Sequence, residues 1–119
     1  MANIMIADDS DAIRLVLNDI LAIGKHTIVA EAKNGDEAVD LFFKVSPELL
    51  LLDLAMPKKD GLTVLKEIIE KDPQAKIVLI TASDDQKIIN QCLQIGAASY
   101  ISKPFDFTNV LKQINDSLK

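Results

Sequence analysis

Five side chains with chemistry to offer each follow or close a short apolar run. Asp8 and Asp9 end the run Asn3–Ala7, and Asp53 ends four consecutive leucines, Leu49–Leu52. Thr81 ends the run that starts at Lys76, and Lys103 follows Ser99–Ser102. Three carboxylates brought together repel one another and raise one another's pKa values unless a cation sits between them. A hard divalent ion with oxygen ligands and retained waters suits such a cluster, and Mg²⁺ fits a site with few protein ligands. A hydroxyl, an ammonium and Mg²⁺ around one carboxylate would receive a phosphoryl group, because each stabilises its charged oxygens. Asp53 would then be the nucleophile, forming an acyl phosphate. Taken singly, each residue has an ordinary explanation. Asp8 or Asp9 is a helix cap, Asp53 a turn former, Thr81 a strand end and Lys103 a solvated lysine. Phosphoryl chemistry needs all five to meet on one rim.

The elements that must bring them together are legible in the pattern. The leucine run lies between Pro47 and Pro57, too short for a helix and without alternation. It reads as a central strand of a sheet covered on both faces. Asn3–Ala7, Thr27–Ala32, Lys76–Thr81 and Ser99–Ser102 read as the other strands. Between them, apolar residues recur at helical spacing. The first stripe is Ile13, Val16, Leu17, Ile20 and Leu21, capped by Ser10 or Asp9, with Gly24 as a left-handed C-cap. The second is Ala38, Leu41, Phe42 and Val45, starting at Asn34-Gly35 and stopped by Ser46-Pro47. The third is Leu62, Leu65, Ile68 and Ile69, closed by Asp72-Pro73. The fourth is Ile88, Ile89, Cys92 and Leu93, capped by Ser83 or Asp84 and ended by Gly96. The last is Val110, Leu111, Ile114 and Leu118. Alternation of strand and helix gives an α/β fold, a parallel sheet with helices on both faces. Ligands in such sheets sit at the carboxyl ends of the strands, where all five residues fall.

Composition narrows the partners. A chain of 119 residues with 49% apolar content is expected to form one domain, residues 1–119, burying roughly two thirds of its unfolded surface. A net charge of -5 disfavours nucleic acid and anionic membranes. With 4% aromatic residues and no Trp, a base-stacking platform is disfavoured too. The single cysteine, Cys92, excludes an intramolecular disulfide and reads as a buried thiol. No basic-then-apolar leader and no run of ~18 apolar residues is present, so the expected location is the cytoplasm.

The ordered set Asp8-Asp9-Ser10, Asp53 with Met56-Pro57 and Asp60-Gly61, Thr81-Ala82-Ser83, Gly96-Ala97, and Tyr100 before Lys103-Pro104-Phe105 resembles the receiver domain of two-component response regulators. The resemblance covers the whole chain. Within that family it is most similar to single-domain chemotaxis regulators, to which Arg14 and the segment Leu17–Leu21 add. The resemblance implies a doubly wound, flavodoxin-like sheet of strand order 2-1-3-4-5. It implies that Asp53 is the phosphoacceptor and that Asp9, Asp53 and the backbone carbonyl of Ala55 ligate Mg²⁺, with Asp8 acting through water. Lys103 would pair with the phosphoryl group, its bond to Pro104 would be cis, and Thr81 would hydrogen-bond a phosphoryl oxygen. Tyr100 would turn inward behind Thr81 as the switch. The output surface would include Lys87, Gln91, Tyr100 and Ser102, with Phe107 either there or in the core.

The implied partners are a histidine kinase, a target protein in the motility apparatus or elsewhere, and a phosphatase, met by a monomer. In this family the residues two after the acceptor and two after the threonine tune phosphate lifetime. Ala55 and Ser83, small and uncharged, imply a moderate one. The resemblance implies a signalling protein rather than an enzyme, one that catalyses only its own phosphorylation and dephosphorylation. A phosphorelay intermediate is the alternative within the family. Direct transcription control is disfavoured for the sequence as given, in which no output domain follows Lys119, although an excised receiver would look the same.

Two readings of a different class compete. An aspartate-nucleophile phosphatase wants an acid two residues after the nucleophile, where Ala55 stands. A flavin carrier wants a phosphate-cradling loop where Asp8-Asp9 would repel one. The lone His26 sits in a turn away from the strand ends and is not expected to take part.

Overall fold

The computed structural model describes residues 2–82 and 86–119. Five strands, β1 (Asn3–Ala7), β2 (Thr27–Ala32), β3 (Leu49–Asp53), β4 (Ile77–Thr81) and β5 (Ser99–Ser102), alternate with α1 (Asp11–Ile23), α2 (Gly35–Val45), α3 (Gly61–Lys71), α4 (Gln86–Ile95) and α5 (Phe107–Leu118). All strand pairs are parallel, in the order β2-β1-β3-β4-β5.

The central position of β3 follows from its leucines. Side chains alternate across a strand. Leu50 and Leu52 enter one core with Ala38 and Phe42 of α2, Leu65 and Ile68 of α3, and Cys92 of α4. Leu49 and Leu51 enter the opposite core with Leu17 and Leu21 of α1 and Val110 and Ile114 of α5. All four leucines are fully buried. Each contributes roughly 1.5–3 kcal/mol of transfer free energy, an upper bound given a compact unfolded chain. A polar residue anywhere in Leu49–Leu52 would meet apolar side chains on either face.

The caps are local and specific. Ser10 accepts from the Ile13 amide, Asn34 from Glu37 and Asp60 from Thr63, each the side-chain bond that satisfies a free first-turn donor. The proposed caps Ser83 and Asp84 of α4 lie outside the described residues.

Several expectations are corrected. Gly24 is right-handed (φ -78°), and the left-handed residue is Lys25 at φ 62°. Gly24 instead lies close under α5: a Cβ there would come 2.5 Å from Cδ2 of Leu111, and that side-chain end would have to shift. Val16 is 43% exposed and Ile88 40% exposed, so neither belongs to the core. On α1 the inward position falls to Arg14, three residues before Leu17, because its guanidinium has buried polar partners. Phe107 is exposed at the first position of α5. No described helix is long and apolar enough to cross a membrane.

Candidate functional site

Register decides which side chains meet. Ala7 pairs with Leu52, so Asp8 and Asp53 leave adjacent strands at the same level. Asp53 pairs with Ile80, which sets Thr81 one step beyond it on the next strand. Thr81 pairs with Ser102, so Lys103 emerges beside it, and the Lys103 amide donates to the Thr81 carbonyl at 2.9 Å. Four strands thus deliver their end residues to one rim. The Lys103–Pro104 peptide is cis.

The acids converge. One carboxylate oxygen from each of Asp8, Asp9 and Asp53 lies within 4.8 Å of the others. Asp8 is fully buried and Asp53 is 3% exposed, whereas Asp9 faces solvent. Lys103 Nζ stands 3.3 Å from Asp8 Oδ2 and 3.8 Å from Asp53 Oδ1. Asp8 Oδ1 accepts from the Ser10 amide at 2.9 Å, and Asp53 Oδ1 accepts from the Ala55 amide at 3.2 Å. Burial first, and then the charge of Asp8, push the Asp53 carboxyl up from 3.8 to about 6. The Ala55 amide and Lys103 oppose that rise without cancelling it.

These features test whether a cation fits. Asp8 Oδ2 is buried, and although Lys103 Nζ is near it, no hydrogen bond of good geometry reaches it. A buried carboxylate oxygen without a donor is costly. Three acids brought this close, with Asp53 raised by burial and by the charge of Asp8, form an all-oxygen donor set suited to Mg²⁺. The cluster can hold a metal ion.

Thr81 is buried at 2% exposure. With Asp9, Asp53, Ala55 and Lys103 it lines a cavity of about 540 Å³. The acceptor loop over this cavity is held by α3. The Gly61 amide donates to the Leu54 carbonyl at 2.9 Å, and a Cβ on Gly61 would lie 2.4 Å from the Asp53 carbonyl oxygen. Only glycine permits that approach.

The structure brings Asp8, Asp9, Asp53, Ala55, Thr81 and Lys103 together, and sets other named residues apart. Tyr100 is half-buried on β5 against the α2–α4 core. With Ser102 and Pro104 it borders a separate surface depression beside α5. Lys87 and Gln91 are exposed on α4. Ser83 lies outside the described residues. His26 sits at the opposite, amino-terminal edge of the sheet, where its Nδ1 accepts from the Ala2 amide at 3.1 Å and burial lowers its pKa.

Two groups escaped the sequence reading of the site. Arg14 Nη1 donates to the Asp8 carbonyl at 2.7 Å, and its Nε to Glu31 at 3.2 Å. Its place on the inward stripe, in register with Leu17 and Leu21, was the available signal. Lys59 ties the acceptor loop to α3 through Glu67 at 2.9 Å and approaches Asp36 of α2 at 3.6 Å. No spacing rule announces that contact, because its partners come from two different helices.

Comparison with known families matches residues 4–115 to the response regulator receiver domain. The chemotaxis protein CheY of Bacillus subtilis is 41% identical over 115 residues, spanning 97% of this chain and 96% of that protein. Protein CcdB of the same organism is 35% identical over 115 residues, with the same two coverages. Among solved structures, CheY in the CheX-CheY-BeF3-Mg complex from Borrelia burgdorferi superposes with a TM-score of 0.95 at 32% identity, over 98% of this chain and 89% of that one. Strand order, acidic rim and full-length similarity agree, and the chain belongs to the receiver domain family of two-component response regulators.

Proposed function

We propose that this chain is one receiver domain, a phosphorylation-driven switch in which Asp53 accepts a phosphoryl group from a histidine kinase. The observation that carries the reading is the convergence of Asp8, Asp9 and Asp53 with the Lys103 ammonium 3.8 Å from Asp53. Asp9, Asp53 and the Ala55 carbonyl would hold Mg²⁺, with Asp8 acting through water. When bound, the ion would neutralise the acids and stabilise charge on the phosphoryl oxygens. A carboxylate oxygen of Asp53 attacks phosphorus, and the bond to the donor's leaving group breaks. Lys103 supplies a fixed positive charge beside the incoming oxygens. Thr81 turns its hydroxyl onto one of them.

The switch follows from differential contacts. A phosphoryl group that binds the Thr81 hydroxyl favours the state in which Thr81 has moved, and Tyr100 on the neighbouring strand packs inward behind it. The surface that reads this change comprises Lys87, Gln91, Tyr100 and Ser102 on α4 and β5. A chemotaxis role, acting on the motility apparatus and reset by a phosphatase, is favoured by the similarity to the Bacillus subtilis chemotaxis protein. A monomeric cytoplasmic protein suits that role.

Amide spectra recorded with Mg²⁺ and beryllofluoride, a phosphoryl mimic, test both halves. The expected result is shifts at Asp53, Thr81 and Lys103 and also at Lys87, Gln91, Tyr100 and Ser102. Shifts confined to the acidic rim would contradict the output surface.

A further inference from the structure

The cavity beside Asp53 is not polar throughout. Asp9, Asp53, Thr81 and Lys103 line it from the strand ends. Leu54, Ala55, Leu62, Ile88 and Ile89 give it apolar wall as well, reaching the start of α3 and the first turn of α4. Ile88 holds an exposed position at 40% there, where a surface residue is usually polar, and Ala55, just after β3, is exposed and small. At about 540 Å³ the space exceeds what a phosphoryl group requires and falls in the range of small-molecule sites. Asp60 and Asp9 lie on its rim and disfavour any second negative charge on a ligand.

We propose that this cavity selects small phosphodonors by their leaving group, favouring acyl phosphates whose acyl part is a short uncharged hydrocarbon chain. The inference rests on Asp53 being the phosphoacceptor and names the donor class for that site. The donor's phosphorus sits beside Asp53 and Lys103, and its hydrocarbon extends along Leu62 and Ile88. A carboxylate oxygen of Asp53 forms a bond to phosphorus. The bond from phosphorus to the acyl oxygen breaks, and its electron pair leaves on the released carboxylate. No proton is consumed, so the products are the aspartyl phosphate and a carboxylate anion. Burial of each added methylene against the wall raises the second-order rate constant roughly three- to fourfold until the cavity is filled.

Acetyl, butyryl and succinyl phosphate give the test, because acetate and butyrate are leaving groups of nearly equal basicity. Initial rates of phosphoprotein formation are followed by intact mass with Mg²⁺ present. Butyryl phosphate is expected to react about tenfold faster than acetyl phosphate at subsaturating concentration. Succinyl phosphate, with a terminal carboxylate, is expected to be slower than butyryl phosphate by more than that factor. In Ile88→Asn and, separately, Leu62→Asn the butyryl-to-acetyl ratio is expected to fall towards one. The ratio is internal to each variant, so a general loss of activity does not mimic the result. Equal rates for acetyl and butyryl phosphate, or an unchanged ratio in both variants, would overturn the donor selectivity while leaving Asp53 as acceptor. No mass gain with any of the three would instead strike the phosphoacceptor reading itself.

Discussion

Arg14 donates from Nη1 to the main-chain carbonyl oxygen of Asp8 at 2.7 Å, from a side chain that is almost wholly buried. The bond joins the first inward position of α1 to the loop that carries two of the three acids. A second bond, from Nε to Glu31, anchors the same guanidinium to β2, and Asn18 caps the Arg14 carbonyl at 2.7 Å. The acidic loop is therefore held by a planar, multiply bonded group rather than by its own turn geometry alone.

Removing that group leaves a buried carbonyl without its donor. Arg14→Ala is expected to lower stability by about 2–3 kcal/mol in urea unfolding. It is also expected to weaken Mg²⁺ binding several-fold in calorimetry, because Asp8 and Asp9 lose their fixed placement. Parent-like values in both measurements would show that the loop holds itself.

The pKa of Asp53 gives a pH prediction for the metal-free domain. The group rises from 3.8 in the unfolded chain to about 6 when folded, so its burial as an anion costs stability. That cost is absent below the unfolded value, grows between the two and is complete above the folded value. Asp53→Asn removes it. In EDTA, the variant's advantage over the parent is expected to grow from near zero at pH 3 to about 2–3 kcal/mol at pH 7.5. A pH-independent difference would mean that Asp53 is not strained by its neighbours. Saturating Mg²⁺ should narrow the gap by favouring the anion.

Gly61 offers a steric test of the acceptor loop. Its missing Cβ leaves room for the Asp53 carbonyl oxygen and Leu54 Cα, at 2.4 and 2.6 Å from where the atom would be. Both are backbone atoms and cannot rotate aside. Gly61→Ala is expected to cost about 1–3 kcal/mol and to slow phosphorylation by displacing Asp53. A stable variant with parent-like phosphorylation would show that the loop has slack.

Most of the strand pattern and the rim is legible in the sequence, residue by residue. The strands β1, β2, β3 and β5 were placed to the residue by their apolar runs, and the rim followed from the rule that strand ends converge. Val16 and Ile88 were misplaced because their stripes held more apolar residues than one helix face can bury, and periodicity does not say which are left out. Arg14 was overlooked as a core residue because a charge reads as outward until its partners are known. The bonds of Lys59 to α3, and its approach to α2, depend on how those helices dock, which no local pattern encodes.

Cys92 is buried between α4 and the sheet, and burial pushes its thiol above the usual range. The native protein is expected to resist alkylation by iodoacetamide at pH 8, whereas protein unfolded in urea should be modified within minutes. Rapid modification of the native form would mean that α4 opens readily.

The most direct measurement is intact mass after incubation with acetyl phosphate and Mg²⁺, for the parent and for Asp53→Asn. One added phosphoryl group is expected on the parent, none when EDTA replaces Mg²⁺, and none on the variant. Unchanged parent mass, or equal phosphorylation of Asp53→Asn, would contradict Asp53 as the phosphoacceptor.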